Sequence, residues 1–294
     1  MKEKVTVLIQ GPLNLTSLNN VENYKQFCSK IVISHWDEDL DTDNVELINK
    51  YSELKKDKDV VIVSNPLVDL TAEEIQEEKV GVLFDSTFYW AIESTYFGFL
   101  ECKTEYVIKT RSDEYFTDLS EMIGRAMFYE GKKLVCGSIF VRSYYKTPMH
   151  IGDHIFALKT EDAIDMYQDL YDMYNKQKPL ERWAIQGPLS AEQIVGFAFL
   201  KHALKFEHMD FVLNLKENTK ESIKAYNVIY NSTYVISVRS ELGDYEVSYA
   251  HAKQKWNSAT NKFSNYHNIN NHRDFIAMAK RENMLIETIE RLPK

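Results

Sequence analysis

The sequence predicts an α/β protein with a central, mostly parallel sheet, a mixed or antiparallel extension, and helices on both faces. Three observations carry that reading. Short β-branched runs alternate with helical patterns through the first half of the chain. Each run is almost continuously apolar, as strands covered on both faces are. The strand-like segments of the second half alternate more with polar residues, which suits antiparallel pairing.

Taken in order, Val5–Ile9 is the first expected strand, closed by Gly11-Pro12. Ile31–Ser34 and Val60–Val63 follow, the latter closed by Asn65-Pro66. Phe88–Phe99 places Phe88, Ile92, Phe99 and the 95/96 pair at helical spacing. Tyr106–Lys109 is a fourth strand and breaks into the charged run Thr110-Arg-Ser-Asp-Glu114. Leu134–Val141 and Asp153–Leu158 read as strands of the extension. Ala163–Tyr174 is a helix with Ile164, Tyr167, Tyr171 and Tyr174 on one stripe. Ser190-Ala-Glu-Gln193 has the pattern of a capping box and sets a helix start at Ala191. Residues 256–272 read as a long polar loop, and a final helix is expected over 274–289. No composition break marks a linker, so residues 1–294 are expected to form one domain, with halves of about 1–118 and 119–294.

Composition excludes several classes. The 294 residues contain 35 basic and 44 acidic side chains, a net charge of -9, without a Lys/Arg cluster able to neutralise a run of duplex phosphates. Nucleic acid is therefore not an expected partner. No apolar run reaches the ~18 residues of a membrane span. The N-terminal run Val5–Ile9 is too short for a signal-peptide core, and the expectation is a cytoplasmic protein. Cys28, Cys102 and Cys136 lie far apart in apolar surroundings and read as buried thiols. Walker-type, GxGxxG, HExxH and GxSxG motifs are all missing.

Ligands of open α/β sheets bind beyond the carboxyl ends of the strands, so residues 10–12, 34–37, 64–66 and 110–114 are expected to share one rim. Asp113, and less directly Glu114, could hold Mg²⁺ or Mn²⁺ through hard oxygen ligands; a solvated strand end with an Arg111–Asp113 ion pair is the alternative. His150 and His154, flanking Asp153 around a glycine, could place a base or hydrogen-bond donor in a cleft, or lie in a simple turn. Glu192 sits in the first turn of its helix, where the dipole favours negative charge by a few tenths to ~1 kcal/mol. That placement explains the residue without catalysis, but an ionised carboxylate is also what a general base must be. His251, His267 and His272 fall in or near the late polar region, and Trp90, Trp183, Tyr144, Tyr145 and Trp256 are candidates to stack on a base or sugar.

The order of these pieces carries a resemblance. Ile9-Gln-Gly-Pro12, Ile31-Val-Ile-Ser-His-Trp36, Lys109-Thr-Arg-Ser-Asp113 and His150-Ile-Gly-Asp-His-Ile-Phe156 occur in sequence, followed by Ala191-Glu-Gln193. Over roughly residues 5–205 the chain resembles the WavE family of lipopolysaccharide-synthesis proteins, which occur in bacterial and large-DNA-virus glycan synthesis. The resemblance implies a GT-A-like (Rossmann-like) glycosyltransferase, acting in the host cytoplasm if viral, with a UDP-sugar or other nucleotide-sugar donor and a glycan acceptor. By that resemblance Gln10, Gly11 and Pro12 would edge the nucleotide pocket, with Ser34 and Trp36 nearby. Arg111 would sit at the diphosphate, Asp113 at a Mn²⁺ or Mg²⁺ ion, and His150 and Asp153 at donor sugar or acceptor. Glu192 first, and Asp153 second, would deprotonate the acceptor hydroxyl in an inverting transfer; a retaining course would need neither. The chain departs from the family at Tyr89-Trp-Ala91, where Asn-Arg-Gln is expected, and at Ser112-Asp-Glu114, which is not a full DxD. A nucleotidyltransferase or other nucleotide-sugar enzyme, and a non-catalytic glycan-binding protein, are the alternatives.

Overall fold

The structure is a computed structural model. It describes residues 1–40, 43–67, 86–138, 141, 150–175, 191–202, 231–236, 242, 245–247, 273 and 276–277. The expected loop over 256–272, nearly all of the expected final helix, the cap residue Ser190, and Tyr144, Tyr145, Trp183, His251, Trp256, His267 and His272 lie outside the described residues.

Strands β1 (Val5–Gln10), β2 (Lys30–Trp36), β3 (Val60–Asn65) and β4 (Tyr106–Arg111) are the four apolar runs of the first half, each longer than its pattern suggested. The pattern stopped where apolar residues gave out. Backbone pairing continues through Gln10↔Arg111 and Trp36↔Asn65, because ladder hydrogen bonds do not depend on side-chain polarity. Next come β5 (Glu114–Phe116), β6 (Leu134–Gly137), β7 (Ile155–Lys159), β8 (Thr233–Ile236) and β9 (Tyr245–Val247). Seven strands form one sheet in the order β3-β2-β1-β4-β7-β6-β8, and β5 pairs with β9 in a separate ribbon. β1 to β4 run parallel, β7 is antiparallel to both β4 and β6, and β8 is parallel to β6. The parallel sheet with a mixed extension is thus present. Among the described residues β6 ends at Gly137, short of the expected Val141, and β7 begins at Ile155 rather than Asp153.

The helices are α1 (Leu15–Tyr24), α2 (Val45–Leu54), α3 (Ser86–Leu100), α4 (Ser120–Phe128), α5 (Thr160–Asn175) and α6 (Ala191–His202). α1 begins where the Asn14 side chain accepts from the Ser17 amide at 2.8 Å and Ser17 Oγ faces the Asn14 amide, a reciprocal cap. Asn44 caps α2 in the same way, accepting from the Leu47 amide at 3.1 Å. Leu18, Val21 and Tyr24 of α1 and Leu47, Tyr51 and Leu54 of α2 are buried with Ile9, Ile31, Ile33, Ile108 and Met122 of α4 on one face of the sheet. On the other, Ile92 and Phe99 of α3, Met166 and Tyr167 of α5, and Ile194 and Phe197 of α6 bury Leu8, Val32, Val107 and Phe156. Helices therefore cover both faces. The approach of α3 depends on Gly98: a Cβ there would stand 2.5 Å from Leu8 Cδ1 and 3.0 Å from Ser34 Cβ. No described helix is long and apolar enough to cross a membrane.

Candidate active site

The chain leaves β1 for β2 and β3 on one side, then crosses through α3 to β4 on the other. Connections thus reverse between β1 and β4, and it is outside the carboxyl ends of strands at such a switch point that open α/β sheets bind their ligands. The backbone there is tightly specified. The Gly11 amide donates to the Ser34 carbonyl at 3.1 Å, and the Ser112 amide to the Gln10 carbonyl at 2.8 Å. Gly11 has φ +128°, and a Cβ on it would meet Ser112 Oγ at 2.6 Å, so glycine is required twice over.

Buried hydrogen bonds tie the strand ends to α3. Gln10 Nε2 donates to Ser94 Oγ at 2.9 Å, and Ser34 Oγ to the Ser94 carbonyl at 2.6 Å. Asn65 Nδ2 reaches Ser34 Oγ at 3.0 Å and the His35 carbonyl at 2.7 Å. Gln10, expected at the edge of the pocket, and Ser34, expected nearby, thus have their side chains hydrogen-bonded to α3 and β3. Asn65, within the expected rim, and Ser94 complete this network. Trp36 is buried and meets Trp90 edge-on at 6.3 Å, so the Tyr89-Trp-Ala91 departure places aromatic packing at the head of α3.

At the end of β4 four strand-end charges sort into pairs. Arg111 grips Asp113 with Nε to Oδ1 at 2.8 Å and Nη2 to Oδ2 at 2.7 Å. Burial opposes ionisation of Asp113, but the guanidinium outweighs it and holds the carboxyl below its ordinary range. His154 Nδ1 donates to Glu114 Oε1 at 2.5 Å. Burial works against the charged imidazole, yet the Glu114 carboxylate, helped by Asp153, leaves its pKa raised. Lys109, 4% exposed, donates from Nζ to the Asp153 carbonyl at 2.9 Å, and burial lowers its pKa against the pull of Asp153. A lysine inside the apolar run Tyr106-Val-Ile-Lys109 was the available signal for this residue.

Asp113 and Glu114, the expected metal ligands, are thus each committed to a cation, Asp113 from the turn after β4 and Glu114 from the start of β5. No group of three His, Cys, Asp or Glu able to hold an ion occurs among the described residues. As arranged, these side chains do not present a divalent-cation site, because both Asp113 oxygens are occupied by Arg111.

The Lys109–Asp153 bond anchors the 150–154 segment to β4, and that segment in turn meets α6. Buried His150 places Nε2 3.6 Å from Oε2 of Glu192, within ion-pair range though long for a hydrogen bond. Glu192 is partly exposed in the first turn of α6, as expected. Folding therefore unites residues 109–114, 150–154 and 192. Pro12 is exposed beyond the end of β1.

Fold and side-chain geometry together define an α/β protein with a cluster of charged residues at the switch point of its sheet. No protein-family model matches the chain, and no curated protein matches it. Among solved structures it is similar to the apo-form glycosyltransferase GlyE of Streptococcus pneumoniae TIGR4, with TM-score 0.38 and 12% identity over 69% of this chain and 44% of that one. It is also similar to 4-diphosphocytidyl-2C-methyl-D-erythritol synthase of Anaerococcus prevotii DSM 20548, with TM-score 0.35 and 13% identity over 78% and 96%. The chain spans less than half the length of GlyE. At these scores neither similarity bears on residue roles, which rest on strand order and side-chain geometry.

Proposed function

We propose that the protein is a glycosyltransferase that moves a sugar from a nucleoside-diphosphate sugar, with UDP the expected nucleotide, to a hydroxyl of a growing glycan. The observation that supports it is one arrangement: Lys109 and Arg111 at the switch point of the sheet, joined by the 150–154 segment to a partly exposed carboxylate, Glu192. Arg111, one-third exposed at the end of β4, faces the diphosphate. Glu192, with His150 beside it, takes the proton of the acceptor hydroxyl. The acceptor oxygen forms its bond to the anomeric carbon as the bond to the diphosphate oxygen breaks. The nucleoside diphosphate leaves with that electron pair, and the anomeric centre inverts. Asp153 is the second candidate for the base, but its carbonyl is held by Lys109 and its Oδ1 is buried, which suits a fixed binding group better. A Mn²⁺ or Mg²⁺ ion would join Asp113 only after Arg111 lets go of it.

The test is a thermal-shift and slow-hydrolysis panel of UDP-, GDP- and CMP-sugars with their free nucleotides. One nucleotide at about 100 times its Kd should stabilise the fold by ~2.7 kcal/mol, with slow release of its sugar. No shift with any of them at millimolar concentration would overturn the reading. A nucleotidyltransferase would release pyrophosphate from a nucleoside triphosphate and a sugar phosphate instead.

A further inference from the structure

Buried groups of opposite charge ordinarily close into a hydrogen-bonded pair, because each is poorly solvated and each supplies what the other lacks. Lys109 and Asp153 do not. Lys109 is almost wholly buried, and its one hydrogen bond among the described residues is to the Asp153 backbone carbonyl. Oδ1 of Asp153 is also buried and has no hydrogen-bond partner. The two side chains feel each other's charge but make no ion-pair contact. The residues lie on adjacent, antiparallel segments: Lys109 is opposite Phe156, and Asp153 stands just before β7. What remains is a set of Nζ–H donors on one segment and an unpartnered carboxylate oxygen on the next.

This combination of donor and acceptor is selective. A phosphate oxygen would accept from Lys109 but be repelled by Asp153. An ammonium group would donate to Asp153 but be repelled by Lys109. A hydroxyl does both, taking a hydrogen bond from Nζ on its lone pair and giving its own proton to Oδ1. We infer that Lys109 and Asp153 form a hydroxyl-binding subsite that holds one hydroxyl of the transferred sugar. This rests on the glycosyltransferase reading above and deepens it: the β4 end divides into an outer diphosphate-facing residue, Arg111, and an inner sugar-reading pair. Leaving two buried groups unmatched penalises a sugar that lacks the hydroxyl, the physical basis for strong discrimination.

Isothermal titration of the full chain with UDP and with UDP-glucose, UDP-galactose, UDP-N-acetylglucosamine and UDP-xylose tests the inference. Lys109→Met and Asp153→Asn should each weaken the preferred UDP-sugar by about 10-fold or more while UDP stays within about twofold of wild type, since the nucleotide does not touch the pair. The double variant should lose little beyond the worse single variant, because one hydroxyl is shared. If Lys109→Met does not fold, Asp153→Asn, which conserves volume, carries the comparison. UDP and UDP-sugars weakening equally, or neither weakening, would overturn the subsite while leaving nucleotide binding intact. A wild-type chain that binds neither UDP nor any UDP-sugar would overturn the underlying reading, and the subsite with it. In a crystal structure of the complex, a sugar hydroxyl within hydrogen-bond distance of both Nζ and Oδ1 supports the proposal; a water alone between them refutes it.

Discussion

Replacing Gly11 by alanine probes the switch point where β1 ends. The backbone there has φ +128°, a conformation that strains any residue with a Cβ by about 1–3 kcal/mol. The added methyl would also meet Ser112 Oγ at 2.6 Å, so the buried Ser112 side chain, or the turn that carries it between Arg111 and Asp113, must shift. At about 2 °C per kcal/mol, the lower end of the range suited to a large domain, the melting temperature should fall by ~2–6 °C. That shift should weaken nucleotide binding about 10- to 100-fold, since small misplacements of positioning groups are expensive. Gly98→Ala is the comparison. Its Cβ would stand 2.5 Å from Leu8 Cδ1, so it should destabilise by a similar ~1–3 kcal/mol through overpacking of α3 against the sheet. Because its Cβ presses on Leu8 and on Ser34 behind the rim rather than on the turn after β4, it should cost less nucleotide affinity than Gly11→Ala for the same loss of stability. Differential scanning fluorimetry and titration with UDP measure both quantities. If Gly11→Ala melts like wild type, or if both variants lose affinity in proportion to stability, the switch point is not the nucleotide site.

Glu192→Gln keeps the shape of the α6 start and removes the proposed base. kcat should fall by about 10²–10⁴, a barrier rise of ~2.7–5.4 kcal/mol, with donor affinity little changed. Retention of more than about a tenth of kcat, or a retained anomeric centre by NMR, would return Glu192 to a purely helix-end role. A second outcome concerns α5 and α6, joined by Asp169 to His202 at 2.5 Å and to Lys201. His202 first, with Lys201, lowers the Asp169 pKa to about 2 against burial. A depressed carboxyl stabilises the fold above its unfolded pKa of about 3.9 and loses that contribution as pH falls toward 2. The melting-temperature deficit of Asp169→Asn should therefore be full at pH 6 and vanish near pH 2; a deficit independent of pH would refute the pairing.

Much of the fold was legible because burial on both faces writes itself into a strand as an unbroken apolar run, as in Val5–Ile9 and Ile31–Ser34. α1, α2 and α4 were not singled out. Their buried residues are few and spaced among polar ones, as Leu18, Val21 and Tyr24 are, and the Asn14 and Asn44 caps that start two of them were not weighed. β8 and β9 are four and three residues long, too short for periodicity to distinguish them from loop.

The sequence by itself determined the parallel half-sheet, the helix starting at Ala191 and the segments that hold the chemistry, since these depend on local pattern. Tertiary structure alone decided what each polar side chain does. Gln10 and Ser34 turn to α3 because Gly98 lets that helix approach. Asp113 is held by Arg111, the alternative that the sequence left open, while Glu114 is held by His154 forty residues on, which no spacing indicated. The Lys109 ammonium reaches the Asp153 carbonyl but not its carboxylate. A side chain's partner is set by distance in space and by the cost of burying charge, and neither is written in the spacing along the chain.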